Sequence, residues 1–116
     1  EIPAKIDFFE ALPDYDISMY THKKMKTDAA ISLSALEAVY PLLESIDMWE
    51  SSVLYTAITE LAQKLGFKNS QLLWPIRTAL SGKDVTPGGA TELAEILGRE
   101  ESLKRIQIGI DKLIKT

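Results

Sequence analysis

From Ala29 to Ile114 apolar side chains return at three- and four-residue intervals, and no stretch alternates apolar with polar residues as a half-buried strand does. That pattern restricts the chain to helices packed on helices. The longest run is Val53, Leu54, Ala57, Ile58, Leu61, Ala62 and Leu65, one face of a helix that Gly66 terminates. An earlier stripe, Ala29, Leu33, Leu36, Tyr40 and Leu43, starts after Asp28 and contains Pro41, which is expected to kink the helix or open a second one. Between these, Asp47 and Glu50 have the spacing of a capping box, or Trp49 packs to fix the angle of the helix that follows. Leu72, Leu73, Ile76, Ala79 and Leu80 form a further buried face, with Asn69 or Ser70 as its cap, Pro75 near its first turns and Gly82 at its end. Residues 83–89 hold too many breakers for a regular element. A short helix over 90–97 stops at Gly98, and a last one over 99–115 buries Leu103, Ile106, Ile110, Leu113 and Ile114. Ahead of them all, Ile6, Phe8, Phe9 and Leu12 mark a short amphipathic segment stopped by Pro13. The expected fold is all-α, a compact irregular bundle of five to six helices. Residues 1–46 are expected to be a helical connecting segment and residues 47–116 a helical domain.

Composition narrows the chemistry. The chain has 116 residues, 46% of them hydrophobic and 26% charged, which fits one globular domain and argues against disorder. No apolar run approaches the ~20 residues of a membrane-spanning helix. The absence of cysteine removes disulfides, thiol catalysis and cysteine-ligated zinc, and suits a reducing, cytoplasmic setting. His22 is the single histidine, so no site of several imidazoles can form within the chain, and no metal ligand set is expected. The chain opens at Glu1 without a methionine, as part of a longer protein would. Its net charge of −4 is the wrong sign for a typical nucleic-acid binder, but the charge is uneven: −6 over residues 1–67 and +2 over residues 68–116.

No nucleophile, base and orienting group converge at any recognisable spacing. Glu100 and Glu101 suit the N-terminus of the last helix, and Pro87-Gly88-Gly89 lacks the lysine and the preceding strand of a phosphate-cradling loop. Arg77 is the informative charge. A planar fork of donors on an otherwise apolar helix either pairs with a carboxylate or faces a ligand. Trp74 beside it is a core residue or a platform for a stacked base. Lys68, Lys83, Lys104 and Arg105 are phosphate contacts or solvated helix faces. The cluster Lys23-Lys24-Lys26 reads as a solvated loop.

The stretch PIRTALSGKDVTPGGATELAEILGREESLKRI, residues 75–106, resembles the carboxy-terminal anticodon-binding region of bacterial glutamyl-tRNA synthetases. The likeness rests on a Pro-x-Arg-x-Ala-Leu-Ser-Gly run, a loop holding a proline, a helix, Leu-Gly-Arg-Glu, and a helix with Arg-Ile. It extends over about residues 47–114, with Trp49 at the family's aromatic position ahead of this block. The resemblance implies that Arg77 meets an anticodon base and that Thr86 and Pro87 are loop contacts. Thr59 stands where some relatives carry another arginine and receives no role. It further implies tRNA(Glu) as partner, a monomer, no cofactor in this chain, and ATP used by a catalytic domain of the parent enzyme, a class I glutamate–tRNA ligase. No signature of that catalytic domain occurs here. The competing expectation is a helical protein–protein interaction domain without RNA binding, which acidic charge and amphipathic helices suit equally well. A small stand-alone enzyme lacks the groups to act.

Overall fold

A computed structural model of the chain describes residues 15, 17–21, 27–82 and 88–114. Among them a 3-10 turn, Ile17–Tyr20, precedes five α-helices: α1 (Ala29–Glu44), α2 (Ser51–Leu65), α3 (Asn69–Ser81), α4 (Ala90–Leu97) and α5 (Arg99–Ile114). No β-strand occurs among the described residues. The all-α class is as expected. The amphipathic segment at Ile6–Leu12 and the lysines around His22 lie outside the described residues.

Helix α1 starts where Asp28 caps it, the carboxylate accepting the Ile31 N–H at 2.8 Å. It runs through Pro41 as one element rather than two. Pro41 and Glu37, whose carbonyl loses its partner, are both exposed, so water can take the missing donor's place. The buried face is Ser32, Ala35, Leu36, Val39 and Leu43, turned from the expected stripe, with Leu33 and Tyr40 only half-buried. That face packs on both α5 and α3.

The capping box expected at Asp47 and Glu50 does not form. Glu50 occupies the cap position without a side-chain bond, and the Ser51 N–H donates instead to Glu95 of α4 at 3.0 Å. Trp49 packs half-buried, its indole N–H donating to the Ala94 carbonyl at 2.7 Å. Likewise neither Asn69 nor Ser70 caps α3; the Lys68 N–H at the cap position donates to the Gln71 side chain at 2.8 Å. Two residues expected in the core, Leu65 and Ile114, stand exposed at helix ends, beyond the packed faces.

Helix α3 touches all four other helices and is buried along most of its length. It ends at Gly82, whose φ of 64° is the left-handed conformation that glycine adopts without cost. Leu36, Val39 and Leu43 of α1 share one core with Leu72 and Ile76 of α3 and Ile106 and Ile110 of α5. A boundary between residues 46 and 47 therefore runs through a common core. α1 is part of the bundle.

Tyr20 is fully buried beneath α5, and its hydroxyl lies 2.6 Å from that of Tyr15. Burial, reinforced by the neighbouring phenol, holds the Tyr20 hydroxyl far above tyrosine's ordinary value near 10.0. The unfolded chain then releases this proton at lower pH than the folded chain. The stability gained by keeping Tyr20 neutral is complete below about pH 10 and declines above it, by about 1.4 kcal/mol per pH unit. Unfolding free energies from urea melts are expected to stay nearly level up to about pH 9 and to fall above about pH 10, approaching that slope near pH 11, and Tyr20→Phe is expected to flatten the fall.

Candidate nucleic-acid interface

Ser70, Leu73, Trp74 and Arg77 stand at positions i, i+3, i+4 and i+7, so they share one face of α3. That face forms one wall of an open cleft of about 920 Å³. The other walls are the first turns of α2, including Tyr55 and Thr56, and the start of α4 from Gly89 to Glu95. Two helix N-termini thus open on the same space. Cross-links hold those two walls together: the Ser51 and Thr91 hydroxyls are 3.1 Å apart, and the Ser51 N–H reaches Glu95.

Arg77 is half-buried on the α3 wall, its guanidinium carbon 4.9 Å from the centre of the Trp74 ring. Trp74 itself is only 7% exposed, and its indole N–H donates to the Met19 carbonyl at 3.0 Å. Of the two readings open for Trp74, the structure supports the core residue. Three carboxylates, Glu50, Glu92 and Glu95, also line the cleft. Glu92 accepts the Gly89 N–H at 2.9 Å, and Glu95 is held by Ser51. The arrangement is a mixed one, a cation on a ring facing bound acids and hydroxyls. A phosphate would meet the carboxylates at a cost, whereas an uncharged planar group with donors and acceptors on its edge would not.

The structure sorts the residues singled out in the sequence. Arg77 lines the cleft. Lys68 is exposed at the opposite end of α3, and Lys104 is exposed on α5. Lys83, Thr86 and Pro87 lie outside the described residues. Arg105 is corrected: its side chain is fully buried, so it is not a surface contact for phosphate. Its Nε donates to Glu101 at 2.7 Å and its Nη1 to the Leu80 carbonyl at 2.7 Å. The polar residues contributed by α2 and α4 were missed. Nothing local in the sequence marks them, although the spacing Ser70–Trp74–Arg77 already put one polar face on α3.

Residues 1–110 match the family described as anticodon binding domain. The chain is 57% identical over 113 residues to a glutamate–tRNA ligase of Clostridium tetani, covering 97% of this chain and 23% of that protein. It is 54% identical over 115 residues to that of Clostridium acetobutylicum, covering 99% of this chain and 24% of the relative. A crystal structure of a glutamate tRNA ligase from Elizabethkingia meningosepticum in complex with its amino acid superposes with a TM-score of 0.70 at 27% identity, over 91% of this chain and 20% of that one. The chain thus spans about a quarter of the length of the relatives it matches. With the match running over nearly all of its residues, the chain belongs to the anticodon binding domain family and is homologous to part of the glutamate–tRNA ligases.

Proposed function

We propose that this chain reads the anticodon bases of tRNA(Glu) in the cleft between α2, α3 and α4, for a glutamylating enzyme whose ATP-using catalytic domain is a separate part of the same protein. The observation that carries the proposal is Arg77, poised over Trp74 on the wall of a cleft too acidic for phosphate. An unstacked base offers its edge to planar side chains, and arginine can give one base two parallel hydrogen bonds. Thr86 and Pro87 are assigned to base contact by correspondence with the family, and Lys83 to phosphate by its charge at the start of the same stretch of sequence. Lys68 is assigned to the phosphate backbone on its exposure alone. The domain is proposed to act as a cytoplasmic monomer, and no described helix is long and apolar enough to cross a membrane.

Arg77→Ala tests the assignment. It is expected to weaken binding of a tRNA(Glu) anticodon stem-loop about tenfold or more and to narrow the gap between that loop and base-substituted ones. Lys68→Ala is expected to weaken all loops alike and to reduce the salt dependence by about one counterion. An Arg77→Ala variant with unchanged affinity and unchanged discrimination would remove the residue on which the proposal stands.

A further inference from the structure

We propose that Tyr55 is the platform on which one base of the RNA loop stacks inside the cleft, on a different wall from the one that carries Arg77. This rests on the reading of the cleft as an anticodon site. Tyr55 stands near the start of α2, four residues after Ser51, whose bonds to Thr91 and Glu95 tie that end of the helix to α4. Leu54 and Ile58 hold the same stretch of α2 in the core, while Tyr55 itself is left 49% exposed. The ring is thus carried on a fixed backbone and has only two side-chain torsions to order when something packs on it.

A single exposed apolar residue means little by itself. Tyr55 is distinguished by what it faces. Among the described residues the other large apolar side chains that stand exposed are Met48, Leu65, Ile96 and Ile114, and none of these lines the cleft, whereas Tyr55 does. The cleft's second aromatic residue, Trp74, is 7% exposed and carries the Arg77 guanidinium over its ring, so it offers a base no open face. Tyr55 does offer one. The charge of the cleft fits the same occupant: Glu50, Glu92 and Glu95 oppose an entering phosphate, but the face of a base carries no net charge. Unstacked bases of single-stranded loops are held in this way, by stacking on aromatic side chains. Every base has such a face, so Tyr55 supplies affinity and leaves discrimination to groups that meet a base edge.

The test is a cycle of protein and RNA changes, read as dissociation constants of the tRNA(Glu) anticodon stem-loop at fixed low salt. Tyr55→Leu is expected to weaken binding about tenfold and Tyr55→Phe less than about twofold, because only the first removes the ring. Both variants are expected to keep the urea midpoint of the unaltered chain, which separates lost stacking from lost folding. Loop bases are then removed one at a time as abasic nucleotides. At one position the Tyr55→Leu loss is expected to vanish, since the base that stacks is gone. In nuclear magnetic resonance the protons of that base move upfield on binding, an effect of the ring that Tyr55→Phe keeps and Tyr55→Leu abolishes. No loss in Tyr55→Leu, or the same loss whichever base is removed, would overturn the proposal. If Arg77→Ala narrows the gap between matched and substituted loops while Tyr55→Leu costs nothing, the platform fails and the anticodon reading stands. If Arg77→Ala leaves the gap intact while one base is found on Tyr55, the platform stands and Arg77 loses its assignment.

Discussion

Replacing Arg105 by alanine is expected to destabilise the fold by about 3 kcal/mol, seen as a lower urea midpoint at unchanged slope. The side chain is fully buried between α5 and the end of α3. Its removal leaves the Leu80 carbonyl without its donor, releases Glu101, and empties the volume of a long side chain. Glu101 is 38% exposed and can be rehydrated, so most of the cost arises at Leu80 and in the cavity. The pair is imperfect as well, since Nη2 of Arg105 is buried with no hydrogen-bond partner among the described residues. Arg105→Met, which keeps the volume and removes the charge, is therefore expected to cost less than Arg105→Ala. A variant with a normal midpoint and weakened RNA binding would instead return Arg105 to the surface.

Gly109→Ala is expected to cost about 2 kcal/mol, against the usual gain of about 1 kcal/mol when alanine replaces glycine inside a helix. A Cβ at Gly109 would stand 2.5 Å from the Tyr20 hydroxyl, 3.2 Å from Leu36 Cδ1 and 3.3 Å from Ala79 Cβ. Three elements meet there, and Tyr20 cannot swing aside because it is fully buried and bonded to Tyr15. Tyr20→Phe removes the atom in the way. The pair Gly109→Ala with Tyr20→Phe is expected to be more stable than the sum of the single changes predicts, by about 1 kcal/mol in thermal or urea unfolding. Strict additivity would mean that the close approach of α5 to Tyr20 is not the cause.

Periodicity made the helices legible because each buries one face, and Gly66, Gly82 and Gly98 end their helices where the sequence places them. Caps were harder. The cap of α2 is completed by Glu95, forty-four residues away, and no local pattern reports a partner at that distance. The same limit applies to Arg105. Basic residues on a helix look alike in a sequence, and only the packing of α5 on α3 shows that this one turns inward to a carbonyl. Tyr15 and Tyr20 carried no signal because their meaning is the space beneath Gly109. Arg77 was legible because it is the one charge on an apolar helix, and its spacing from Trp74 already put both on one face. The cleft opposite them was not, since it is made by the starts of two other helices.

The most direct test of anticodon reading is a comparison of two RNAs with the unaltered chain. Binding of a tRNA(Glu) anticodon stem-loop is measured at fixed low salt beside the same loop carrying one substitution at the second or third anticodon base. A preference of about 1–3 kcal/mol for the unsubstituted loop is expected, because a base edge that fails to match Arg77 forfeits the hydrogen bonds that the matching edge makes. Equal affinity for both loops would contradict it and leave only a surface that holds RNA by its phosphates.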